Sequence, residues 1–158
     1  MKKICCFFAM TILLASSAFQ CSNEQEDELM TCCGPPVCSD NATLTGTWRL
    51  QAFQNVATNE LDNDPDPKGR GVVFTFKDDQ KSGAIEGHTF VNEISATYTL
   101  SPECSIEIKS FGGTKVGEPG WSSRAWLAAG EGSFHVTSEN LVISLKNSTE
   151  RLIFKKLK

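Results

Sequence analysis

The chain has 158 residues, with 15 Lys and Arg against 19 Asp and Glu, for a net charge of −4 at pH 7. That mildly acidic balance argues against nucleic acid as a partner, since nucleic-acid binders present a basic face. The length is that of about one domain with a sizeable core, and no segment after the N-terminus is an apolar run of transmembrane length.

The chain opens MKKICCFFAMTILLASSAFQC. Lys2 and Lys3 form a basic start, residues 4–14 an apolar stretch too short to span a bilayer, and Ser16, Ser17 and Ala18 a small-residue cleavage region. The pattern resembles a bacterial lipoprotein signal, in which the cysteine after the cut is acylated and becomes the mature N-terminus. That resemblance implies a signal peptide over residues 1–20, a lipid on Cys21 and attachment to the outer membrane. Gln20 departs from the small residue usual before the cysteine, and secretion with an ordinary cleaved signal is the alternative. The cut removes two lysines and no acid, leaving 138 residues at net charge −6.

Residues 21–43 form an acidic, Cys-rich tether. Glu24, Glu26, Asp27 and Glu28 make the run SNEQEDE a solvated linker. The run also resembles the acidic export tag of some surface lipoproteins, so both a periplasmic and a surface-facing domain stay open. Beyond Cys21 the cysteines are Cys32, Cys33, Cys38 and Cys104. Outside the cytoplasm disulfides persist. There is no pair of C-x-x-C knuckles and neither His88 nor His135 stands at ligand spacing, so no metal or other cofactor is expected. Gly34-Pro35-Pro36 is a turn that folds Cys38 back on its neighbours, which favours a local disulfide from Cys32 or Cys33 to Cys38. Cys104 shares its parity with Ile106 and Ile108 in CSIEIKSF. It is either a small buried hydrophobe or half of a second bridge to the remaining N-terminal cysteine.

From Leu44 onward, short alternating runs are separated by Gly, Asn, Asp and Pro. GTWRLQAF puts Trp48, Leu50 and Ala52 on one face, and GVVFTF puts Val72, Phe74 and Phe76 on one face. A short strand is expected around residues 84–86. FVNEISATYTL then aligns Ile94, Ala96, Tyr98 and Leu100. CSIEIKSF, SFHVTS (Phe134, Val136), NLVISLK (Leu141, Ile143, Leu145) and ERLIFKKL (Leu152, Phe154) follow. This predicts a mainly β (α+β) domain over residues 44–158: a small, antiparallel, partly open barrel of about eight strands. Residues 58–70 are a polar loop. Asp62, Asp64 and Asp66 alternate as in a calcium loop, but Pro67 and Val73 stand where Gly and Glu are required, so a solvated turn is expected.

EPGWSSRAWLAAGEG breaks the alternation. Pro119, the serines and Gly130 bracket a predicted helix over 121–130, lying over a seam or end of the barrel. Trp121 and Trp126 are five residues apart, about 140° around a helix, so they do not share a narrow face. With Trp121 packed beside Ala125 and Ala128, Trp126 points to the rim, and the pair forms the candidate binding surface. The alternative buries both rings against different strands.

Four segments in order resemble the META/HslJ family, small envelope domains often carried by lipoproteins. LTGTWRLQAF resembles its opening Gly-x-Trp-x-Leu strand. GAIEGHTFVNEISATYTL resembles its central hairpin, with Asn92 and Tyr98 at the matching positions. SFGGTKVGEPGW and LVISLKNSTERLIFKK resemble its Thr-Lys segment and closing hairpin. Val91 replaces a common Cys, and Ala96 a common Gly. The resemblance covers about residues 44–157 and implies a twisted barrel with one helix and no catalytic apparatus. In line with it, no Gly-x-Ser-x-Gly motif is present; Ser133 in EGSFH is only superficially similar, and His135 falls on the solvent parity. The expectation is a non-catalytic, lipid-anchored module that binds a small apolar ligand or a protein partner or serves a stress response. The alternatives are a structural subunit that offers a sheet edge for strand addition and, further off, a lipocalin-like carrier or an enzyme.

Overall fold

The alternating runs become strands. The computed structural model describes residues 42–158, which belong to one compact unit, Gly34–Lys158. The expected signal peptide and acidic tether, with Cys21, Cys32, Cys33 and Cys38, lie outside the described residues. The strands are β1 (Gly46–Asn55), β2 (Leu61–Asn63), β3 (Val73–Asp78), β4 (Ser82–His88), β5 (Glu93–Ser101), β6 (Ser105–Gly113), β7 (Gly130–Val136), β8 (Asn140–Leu145) and β9 (Glu150–Lys156). One helical turn, α1 (Gly120–Ser123), lies between β6 and β7.

From β3 to β9 each strand pairs antiparallel with the next. The ten-residue β1 completes the circle. Gly46 to Arg49 pair with β3 on one edge, and Trp48 to Asn55 pair with β9 on the other. The result is a closed eight-stranded barrel rather than the partly open one expected. Closure depends on β1 bending between its partners, and the register with β9 shifts between Leu50 and Ala52, where Gln51 is the extra residue of a bulge. The ninth strand, β2, uses the part of β1 that β3 leaves free, pairing at Ala52, Phe53 and Gln54. Its residues are all exposed, so no alternation marked it in the polar loop.

The predicted inward faces are the buried ones. Trp48, Leu50, Phe74, Phe76, Ile85, Tyr98, Ile106, Ile108 and Phe154 are each at most 1 % exposed. Their side chains fill the interior, as is usual for eight strands. Phe74 meets Phe154 at 5.7 Å and Phe111 at 6.1 Å between ring centroids.

Antiparallel order gives the barrel two distinct ends. At the floor lie the start of β1, the end of β3, the tip of the β5–β6 hairpin and the end of β9. Leu44 closes it, fully buried, with its amide on Asp78 Oδ2 at 2.9 Å and its carbonyl accepting from Trp48 Nε1 at 2.9 Å. At the roof, β6 and β7 pair only from Ser105 to Ile108. Above Ile108 β6 stays paired with β5 but not with β7, and residues 114–129 cross the roof there, sending Ala125 and Leu127 into the core and Trp126 onto Phe111.

The expected helix over 121–130 is cut to the single turn α1. Ser123 spends its hydroxyl on the Gly120 carbonyl, and Ser122 shares its single proton between Glu118 and the Pro119 carbonyl. The amides of Arg124, Ala125 and Trp126 each reach back three residues, to Trp121, Ser122 and Ser123. Short polar side chains compete with the helix ladder here, and burial of Ala125 and Leu127 sets the path instead. Ala128, expected to pack, is exposed.

Candidate functional site at the roof of the barrel

Trp121 and Trp126 both belong to the roof, but not to one surface. Each is half-buried, so Trp126 is not the exposed rim residue expected. Its ring meets Phe111 edge-on at 5.0 Å. Trp121 stacks on Phe90 at 5.7 Å, meets Phe53 edge-on at 5.0 Å, and donates Nε1–H to the Asp62 carbonyl at 3.2 Å. Two rings against different strands is the alternative arrangement that the sequence left open.

Beside Trp121 is a residue that sequence reasoning missed. The Arg124 guanidinium lies 4.2 Å from the Phe53 ring centroid and bonds Glu150 Oε1 at 2.7 Å and Asp62 on its other arm. It joins β1, β2 and the start of β9 at the point where α1 ends. Next to it is a shallow depression of about 460 Å³, lined by Phe53, Asn55, Glu60, Leu61, Asp62 and Glu150. Leu61 is 53 % exposed at its edge. No spacing in the sequence links residues 62, 124 and 150. Only the closed barrel places β2, α1 and β9 together.

The roof is held by a second cluster, centred on Glu118 and Asn92. The Glu118 carboxylate accepts from Thr89 Oγ1 at 2.7 Å, from the Phe90 amide at 3.0 Å, and from the side chains of Asn92 and Ser122. Asn92, 2 % exposed, accepts from the Val116 amide at 2.7 Å and donates to the Val116 carbonyl at 2.9 Å. Its amide thus ties the turn between β4 and β5 to the backbone of the roof segment. Burial pushes the Glu118 carboxyl up, but the donors from Ser122, Thr89, Asn92 and Phe90 together outweigh it and hold the group below its usual range. A carboxylate with four donors is a clamp between the β4–β5 loop and the roof segment, not a poised base.

The aspartates of the polar loop are also engaged. Asp64 forms an ion pair with Arg49 at 2.8 Å, and the Arg49 guanidinium also donates to the carbonyls of Asp66 and Gly69 at 2.9 Å. Gly71, at φ 68°, leaves the space for that guanidinium; a Cβ there would lie 2.4 Å from its carbon. With Asp62 on Arg124 and Asp64 on Arg49, the three alternating aspartates do not converge. His135 is exposed on β7, and His88 ends β4 with Nδ1 3.1 Å from the Thr89 carbonyl.

Cys104 sits at the opposite end of the barrel, half-buried against the core at the tip of the β5–β6 hairpin.

No family model matches the chain, and no curated protein matches it. Among solved structures, the NMR structure of a protein from Burkholderia xenovorans is similar, with a TM-score of 0.59 and 15 % identity. The match covers 85 % of this chain and 99 % of that one. At that identity the likeness is one of fold alone.

Proposed function

We propose that the protein is a non-catalytic, lipid-anchored lipoprotein of the outer membrane, held through Cys21, whose META/HslJ-like barrel is a binding or stress-related accessory module. The observation that carries this reading is the contrast between the two ends. The chain reaches the barrel at the floor, where Leu44 is buried, while the roof carries Trp121, Arg124 and the depression beside Leu61. The roof is thus the irregular, side-chain-rich end, opposite the end at which residues 42–44 join the barrel.

A protein partner at the roof fits better than an apolar ligand within the barrel, because aromatic and aliphatic side chains occupy the interior. The strand-addition alternative draws less support. Closure uses both edges of β1, and on β2 the Asp62 carbonyl already accepts from Trp121. The test of anchoring is mass spectrometry of the mature N-terminus together with fractionation of a Cys21→Ser variant. A lipid on Cys21 and release of the variant from membranes are expected. An unmodified N-terminus at any other residue overturns the proposal.

A further inference from the structure

The depression beside Arg124 is built from one face of three strands. Register sets Asn55 opposite Glu150 on β9, and Gln54 opposite Leu61 on β2, which puts Glu60 across from Asn55. Two residues back, Phe53 stands opposite Asp62. Successive residues of a strand point to opposite faces, so Glu60, Asp62 and Glu150 share the face that carries the Phe53 ring. Arg151, the next residue of β9, pairs with Gln54 and falls on the other face. Arg124 spends one arm on Glu150 Oε1 and the other on Asp62 Oδ2, and Glu60 accepts from the Thr58 hydroxyl at 3.1 Å. Among the described residues, no donor reaches the second oxygen of any of these carboxylates. Three acids thus meet one guanidinium, and negative charge is left over around an open depression of about 460 Å³.

The rim is apolar. The large apolar side chains exposed among the described residues are Val56, Leu61, Val91, Val116 and Leu157. Leu157 lies at the floor, whereas the other four lie at the roof, and Val56 and Leu61 flank the turn from β1 to β2. Apolar side chains gathered at one end mark a contact surface in a way that scattered ones do not.

We infer that this depression docks an exposed segment of a partner protein that presents a Lys or Arg beside an aliphatic residue. The inference rests on the reading of the roof as the partner end and names the chemistry of that partner. Charge complementarity selects the occupant. The incoming cation takes the free oxygens of Glu60, Asp62 and Glu150, and its aliphatic neighbour lies on Leu61 and Val56. A bare metal ion fits less well, because no group of three acids, His or Cys among the described residues is arranged to hold one.

The test is an NMR titration of the chain from residue 21 onward, carrying Cys21→Ser so that no lipid intervenes. The probe is a hexapeptide of alternating Leu and Lys, with a counterpart carrying Glu for Lys as control. The lysine peptide should shift the amides of residues 55–62, 124 and 150, and the glutamate peptide should not. Binding should weaken about fivefold or more between about 50 and about 300 mM NaCl. Glu60→Gln and Leu61→Ser, both at exposed positions, should each weaken it about threefold or more. A loss of less than about twofold in both variants overturns the inference, as does the absence of any shift at about 5 mM lysine peptide. Equal shifts with the glutamate peptide also overturn it. The same shifts produced by calcium chloride alone assign the acids to a small cation, and those produced by raising the protein concentration alone assign them to a second copy; either result overturns it. Shifts confined to the floor, residues 42–48 and 155–157, sink the reading of the roof itself. Roof shifts indifferent to salt and to Glu60→Gln sink only the choice of a basic partner.

Discussion

Tyr98 Oη donates to Asp78 Oδ2 at 2.8 Å, closing the floor of the barrel between β5 and the end of β3. The same carboxylate holds Thr43, Leu44 and the Gln80 amide. Burial, and then the bond to ionised Asp78, push the Tyr98 phenol far above its ordinary range. Gly83 lies beneath the ring, where a Cβ would stand 2.5 Å from Tyr98 Cζ and 2.6 Å from the Lys77 carbonyl. Tyr98→Phe therefore deprives a partly buried carboxylate of one donor and should cost about 1.5–3 kcal/mol. Gly83→Ala should cost at least as much, since neither the carbonyl nor the packed ring yields freely. Urea denaturation checks both; a midpoint unchanged from wild type in Tyr98→Phe would show that the bond contributes nothing.

Asp78 and Glu118 set the acid limit of stability. Both carboxyls are pushed up by burial, but their hydrogen-bond donors prevail and hold them below the ordinary carboxylate range. A depressed folded-state pKa contributes stability that is fully present above the unfolded value and is lost as pH falls through the folded one. Stability should thus be level near neutral pH and fall as pH drops below about 4.5. Glu118→Gln should make that fall shallower while lowering stability at pH 7. Thermal denaturation from pH 7 to pH 2.5 provides the measurement; an identical acid slope in the variant counts against the clamp.

Asn92→Ala removes a buried amide that serves Thr114, Val116 and Glu118. The Val116 amide and one Glu118 oxygen would lose partners, at a cost of about 2–4 kcal/mol. The denaturant midpoint should fall without a change in slope. A cost within 0.5 kcal/mol, about that of an ordinary surface substitution, would remove Asn92 from its proposed place at the centre of the roof.

Asp64 tests the polar loop. Its side chain and that of Arg49 are 4 % and 14 % exposed. Asp64→Asn leaves a buried guanidinium without its counter-charge and should cost about 3 kcal/mol or more. Calcium should leave the Tm of the wild type unchanged, because Asp62 and Asp64 are committed to Arg124 and Arg49. A calcium-dependent rise in Tm would restore the metal reading of the alternating aspartates.

Trp126→Ala and Trp121→Ala should separate packing from recognition. Trp126 supports Phe111 and, through it, Phe74 in the core, so its loss should cost about 3 kcal/mol. Trp121 stacks on the half-buried Phe90 and meets the buried Phe53 edge-on, and should cost less. Chemical denaturation ranks the two; the reverse order would place Trp126, not Trp121, on the binding side of the roof.

Period-2 alternation by itself determined the barrel strands and their inward faces. Each strand has one wet and one dry side, and a residue's parity places it on one of them whatever the partner strand is. Trp48, Phe74, Tyr98 and Ile143 were legible for that reason. Asn92 stood out in the sequence only by its matching position in the resembled hairpin; its bonds to the backbone of residue 116 were decided by the fold. Whether the barrel closed was decided in three dimensions, because closure depends on both edges of β1 finding partners about 25 and 100 residues away. The helix failed for a related reason. Spacing over residues 121–130 reports local preference, but Ala125 and Leu127 are drawn into the core and serine hydroxyls take backbone carbonyls. The Arg124 junction with Asp62 and Glu150 left no trace in the sequence. Its members lie 62 and 26 residues apart, and their attraction matters only after the fold has placed them within hydrogen-bonding reach.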